Sequence, residues 1–172
     1  MIPILCMLNA CAAPAPKGPG MIVSFGNGIA GTKVLVDDAR SEDGIAFPNP
    51  GSLAPQSRPG QGKKVMGAAP DGRPLPQWVE FSWIELPYES THVRTKEELD
   101  AVPVRRARIS VSERVPADVV AEVMRGNQMR KTGDEALHLW LNFVWQRDGI
   151  AFGWQQYRGC CTLLRSGGDQ LD

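Results

Sequence analysis

Residues 137–154 read LHLWLNFVWQRDGIAFGW. Leu139, Leu141, Phe143 and Trp145 fall on alternate positions before Arg147-Asp148-Gly149, and Ile150, Phe152 and Trp154 do so after it. A period of two belongs to a strand, whose side chains point to opposite faces in turn. Asp-Gly suits a tight turn, because glycine tolerates backbone angles closed to other residues. The stretch predicts a β-hairpin with one strongly apolar face. Such a face needs a cover, which the rest of the chain must supply.

Working outward, QWVEFSWIELP (77–87) is another strand, with Val79, Phe81 and Trp83 on one side and Glu80 and Ser82 on the other. Pro87 closes it. RRARISVSE (105–113) alternates Ala107, Ile109 and Val111 inward with Arg106, Arg108 and Ser110 outward. MIVSFGNGIAGTKVLVDD (21–38) reads as strand, glycine-rich turn, strand. Thr95 and Glu98 have the spacing of a capping box and predict a short helical turn ending before Pro103. Residues 116–125 predict the one good helix, with Pro116 at its first position, a stripe of Val119, Val120 and Val123, and Gly126 just past its end. Residues 37–62 have the composition of a long loop, Asp71-Gly72 marks a turn, and 158–172 read as a disordered tail. The fold class is α+β: a mainly antiparallel sheet with one good helix and a short helical turn packed on it. One domain is expected over 20–157, after a leader and tether over 1–19.

Composition narrows the function classes. The chain has 172 residues, 42% of them hydrophobic, enough for a real core. Its 19 basic and 19 acidic residues cancel, which argues against a nucleic-acid binder and against a polybasic membrane patch. No apolar run is long enough to span a bilayer as a helix. The four cysteines at 6, 11, 160 and 161 include no CxxC, so no metal site is expected. The adjacent Cys160 and Cys161 are read as ordinary thiols, a vicinal disulfide being the less common arrangement.

The start of the chain has a different character. IPILCML (2–8) is short and apolar, and LNAC (8–11) resembles a bacterial lipobox, with small residues before a cysteine that carries lipid. AAPAPKGPG (12–20) has the look of a flexible tether. A basic start is missing, and Asn9 departs from the usual small or apolar residue. The expectation is lipidation at Cys11 and a periplasmic, membrane-anchored protein.

No catalytic set stands out. GNGIAG (26–31) matches a dinucleotide-binding pattern, but TKVLV after it is strand-like where a helix is required, so a turn is the better account. His92 and His138 sit in no recognisable motif. Glu80 and Glu85 are read as solvated acids. The protein is expected to be no enzyme and to need no cofactor. Of the five tryptophans, Trp78 and Trp140 fall opposite the apolar stripes of their strands. Either they belong to an interface or the sheet is buried on both faces. With Glu80, Arg106 and Arg108 they form the expected partner-binding set, on a single mixed aromatic and charged surface.

The lipobox-like start, WVEFSWIELP, TKEELDAVPVRRARISVSERVPADVVAEVM and LHLWLNFVWQRDGIAFGW, in that order, resemble a family of uncharacterised proteobacterial lipoproteins over roughly residues 20–157. Members are often encoded beside type VI secretion genes and phospholipase-type effectors. The resemblance implies an immunity-type protein that binds and neutralises a secreted antibacterial enzyme. An envelope lipoprotein with a structural or small-ligand role, and a hydrolase using a histidine and a carboxylate, are the alternatives.

Overall fold

The 137–154 hairpin forms the middle of a sheet. The structure, a computed structural model, describes residues 18–42, 44, 46–56, 62–68, 73–89, 94–129 and 132–169. Cys6, Cys11, the Asp71-Gly72 turn and His92 lie outside the described residues.

The strands are β1 (Met21–Asn27), β2 (Thr32–Ser41), β3 (Ser52–Leu53), β4 (Lys64–Ala68), β5 (Trp78–Pro87), β6 (Arg105–Ser110), β7 (Leu137–Gln146), β8 (Gly149–Arg158) and β9 (Thr162–Gly168). The helices are α1 (Lys96–Asp100) and α2 (Ala117–Gln128). They build an α+β domain of two sheets: a five-stranded one in the order β4-β1-β7-β8-β9 and a four-stranded one in the order β3-β2-β5-β6. Neighbours are antiparallel throughout, except that β1 runs parallel to β7.

The two inner faces cover each other. Phe81 of the smaller sheet meets Phe25, Phe143 and Trp145 of the larger one, with ring centroids 5.1–6.2 Å apart. Trp83 meets Trp145 edge-on at 6.1 Å. Burying each such ring contributes about 1.5–3 kcal/mol. The sequence pointed to the helix as cover for the apolar face; the other sheet does most of that work. Helix α2 closes one end, burying Val119 and Val123 in the same core as Val111 and Val115.

The glycine-rich turn after β1 is where the chain changes sheets. Gly31 takes φ +68°. Asn27 holds the turn, its Oδ1 accepting from the Ile29 amide at 3.0 Å and its Nδ2 donating to the Thr32 carbonyl at 2.7 Å. A strand follows, not a helix, so the dinucleotide reading has no structural basis. α1 has the expected capping box, with Thr95 and Glu98 each satisfying the other's backbone amide. It buries none of its own residues.

Several expectations need correction. β2 runs to Ser41, so the first residues of the expected 37–62 loop are strand, and β3 lies within it. α2 continues to Gln128, placing Gly126 inside the last turn, where a Cβ would touch the Leu137 side chain at 3.4 Å. The expected disordered tail contains β9, paired with β8 and fastened by Asp169, whose carboxylate accepts from the Phe152 amide at 3.0 Å and from Arg114 at 2.5 Å. Cys160 and Cys161 are joined as a vicinal disulfide.

Candidate functional site

The outer face of the β3-β2-β5-β6 sheet gathers most of the predicted binding residues, and strand register explains how. Arg40 lies opposite Glu80, and Glu80 opposite Arg108. Three neighbouring strands thus place a cation, an anion and a cation in one row. Arg40 donates to Glu80 from Nε at 3.0 Å and also from Nη2. Arg108 donates to its other oxygen at 3.0 Å. The hydrogen bonds from Arg40, then those from Arg108, hold the Glu80 carboxyl below its usual value of 4.5.

The adjacent row runs Asp38, Ser82, Arg106. A bulge between Val36 and Asp38 breaks the alternation of β2, and Asp37 and Asp38 are both exposed there. Ser82 is small, so the row has a dip at its centre. The result is a polar hollow of about 390 Å³ lined by Asp37, Asp38, Arg40, Glu80, Ser82 and Arg106. Asp37, Asp38 and Arg40 stand on one side and Arg106 on the other. Arg106 has no ion-pair partner among the described residues.

Trp78 lies at the end of this face, half-buried, with the Arg108 guanidinium 3.9 Å from the ring centroid. That distance is a close cation–π contact. Glu42 fixes the backbone there: its carboxylate accepts from the Gln77 amide at 2.8 Å and the Trp78 amide at 3.5 Å. Partial burial pushes the Glu42 carboxyl up, but the backbone hydrogen bonds outweigh it and leave the group below its usual value.

The expected single surface is divided. Trp140 lies on the outer face of the other sheet, on the opposite side of the molecule from Trp78. There it packs edge-on against Tyr157 at 5.7 Å. Beside it Ser24 donates to Asn142 at 2.8 Å, and Asn142 to Gln155 at 3.3 Å. Ser24, Asn142 and Val144 are each 2% exposed, so this face is partly covered. Trp78, Glu80, Arg106 and Arg108 belong together; Trp140 does not belong with them.

Glu80 and Glu85, read as freely solvated, are both ion-paired. They also point to opposite sides of β5, so they cannot flank one bond as a pair. Glu85 faces the rim of the core, accepting from Arg105 at 2.5 Å and from the Trp83 indole at 3.0 Å. His138 is half-buried on the outer face with Trp140, across from Tyr157. Among the described residues no cluster of three or more His, Cys, Asp or Glu could hold a metal ion. None of their helices is long and apolar enough to cross a membrane.

Arg40, Asp38 and Glu42 are site residues that sequence reasoning missed. Asp38 and Arg40, two apart, carried the strand signal, but it was weak inside a stretch with loop composition. No protein-family model, curated protein or solved structure matches the chain.

Proposed function

We propose that this is an envelope lipoprotein that binds a partner protein through the outer face of the β3-β2-β5-β6 sheet and neutralises it. The observation that carries the binding role is the row Arg40–Glu80–Arg108 with Arg108 lying on Trp78. It sets a tryptophan and an arginine, the commonest interface anchors, in a fixed arrangement on an otherwise charged face. The ion pairs hold these long side chains before any partner arrives, which lowers the entropy lost on docking. Beside the anchor, the hollow over Ser82 offers carboxylates to a basic side chain and Arg106 to an acidic one.

The nature of the partner rests on the family resemblance: a secreted antibacterial enzyme of the phospholipase type. Anchoring by lipid on Cys11 would keep the domain at the membrane surface where such an enzyme acts. An inhibitor needs no catalytic groups of its own, only a surface that fits. The test is titration of a phospholipase effector recovered with the chain from periplasm. Its activity should fall to zero at one equivalent of the protein, and Trp78→Ala should raise the amount required. Full enzyme activity at saturating protein would refute the neutralising role. Anchoring is tested separately: Cys11→Ser should move the protein from the detergent phase to the soluble fraction.

A further inference from the structure

The β8–β9 turn carries a disulfide with no evident structural task. A disulfide stabilises chiefly by removing freedom from the unfolded chain, and the effect grows with the loop enclosed. Cys160 and Cys161 are neighbours and enclose no loop. Both are exposed, so they add nothing to the core. The turn is already fixed by other means. Gly159 sits at φ +58° and its amide donates to the Ala136 carbonyl at 2.8 Å. A Cβ on Gly159 would come 3.1 Å from the Asp134 backbone. On the strand side, Arg158 and Thr162 pair across the ladder. The fold can therefore hold the turn with the sulfurs joined or separate.

The disulfide is also reachable. Cys160 lines an open groove of about 530 Å³ together with Asp134, Ala136, His138 and Gly159. Exposed disulfides outside the core are the labile kind, open to attack by an external thiolate.

We propose that Cys160–Cys161 is a reversible thiol–disulfide exchange site whose reaction partner is a dithiol. One thiolate of the dithiol bonds to one sulfur of the pair, and the Cys160–Cys161 bond breaks. The displaced cysteine leaves as thiolate and takes a proton. The second thiolate of the dithiol then attacks its own sulfur in the mixed disulfide, closing the partner's disulfide and releasing the second cysteine, which is also protonated. Two electrons and two protons pass from the dithiol to the pair; a disulfide compound such as oxidised glutathione reverses the change.

The site lies on the other sheet from the binding face, and the inference does not depend on that face. The experiment uses the folded full chain with dithiothreitol in native buffer. Maleimide labelling restricted by mass spectrometry to the peptide containing Cys160 and Cys161 should rise from no adduct to two. Oxidised glutathione should return it to none. The circular dichroism spectrum and melting temperature should be the same in both states, which a stapling disulfide would not allow. Cys160→Ser should give one adduct with or without dithiothreitol. A reduced CxxC oxidoreductase in trace amounts that speeds the reduction would identify a protein as the dithiol source, and an unchanged rate would identify a small molecule. Reduction that occurs only in denaturant, or thiols that do not re-form the disulfide, would overturn the proposal.

Discussion

Trp78 and Trp140 have the same sequence signature and different surroundings. Each is a large aromatic on the polar side of an alternating strand. Trp78 ends on an open, charged sheet face under the guanidinium of Arg108. Trp140 ends on a face where Ser24 and Asn142 are buried and hydrogen-bonded to each other. The contrast comes from what crosses each face. On the larger sheet, Gln56 lies over Gly26, where a Cβ would collide with its amide. On the smaller sheet, the row of charges keeps the face in water. A tryptophan off the apolar stripe thus does not by itself say whether its face is covered or open; the neighbouring strands decide.

The largest expected effect tests whether the Trp140 face is structural. Asn142→Ala removes the partner of a buried Ser24 hydroxyl and a bond to Gln155. Leaving such groups unsatisfied costs about 1–3 kcal/mol. Ser82→Ala, at the centre of the other face, should change stability by about 0.5 kcal/mol or less, as surface substitutions do. Urea unfolding of both variants measures the difference. Equal losses would erase the contrast between the faces.

Comparable in size is the exchange of the tryptophans themselves. Trp78→Ala should weaken partner binding by about 2 kcal/mol or more, the size of a hot spot, which is roughly thirtyfold in Kd. Trp140→Ala should leave affinity per folded molecule unchanged and lower stability instead. Calorimetric titration paired with thermal melts separates the two. The reverse result would move the binding face to the larger sheet.

A smaller effect should sharpen the role of charge. Arg106 faces the hollow without an ion-pair partner among the described residues, so its charge is available to an incoming protein. Arg106→Glu should slow association about tenfold at low ionic strength, within the range of electrostatic steering, and the difference should shrink in salt. Dissociation should change less. Stopped-flow measurement across a salt series would show an unaltered association rate if the hollow plays no part.

What could be read from the chain divides along the same line as what is local. The 137–154 hairpin, strand β5 and the Thr95–Glu98 cap were legible, because alternation and capping act between near neighbours. The division into two sheets was not. Strand, glycine turn, strand reads alike for a hairpin and for a change of sheet; the outcome depends on β1 pairing with β7, far along the chain. β9 was missed because TLLRSGG has no buried stripe: it is an exposed edge held by its backbone ladder and by Asp169. The proposed binding row was half legible. Glu80, Arg106 and Arg108 lie on clean strands, whereas Asp38 and Arg40 follow a bulge that hides the period of β2.

The smallest expected effect is a difference in acid sensitivity between the two sheets. Glu80 ties β2, β5 and β6 together on the open face, and Asp169 ties the end of β9 to β8. Both carboxyls are held below their ordinary values, Glu80 first by its hydrogen bonds from Arg40, Asp169 first by the Phe152 amide. A group depressed in the folded state contributes stability that is complete above its unfolded value, 4.5 for Glu80 and 3.8 for Asp169. That contribution is lost as pH falls through the lower folded value. Stability should therefore decline on acidification from about pH 5 downward. Glu80→Gln and Asp169→Asn should each flatten part of the decline. Salt should tell them apart. The Glu80 share rests on charge-assisted hydrogen bonds from two exposed guanidinium groups, so it should weaken at high ionic strength. The Asp169 share depends first on a backbone hydrogen bond, which salt screens less. Melting temperatures of the three proteins from pH 6 to 3, at low and high salt, measure both shares. An Asp169 contribution that vanished in salt while that of Glu80 persisted would reverse this assignment, and with it the view of the β3-β2-β5-β6 face as the solvent-open one.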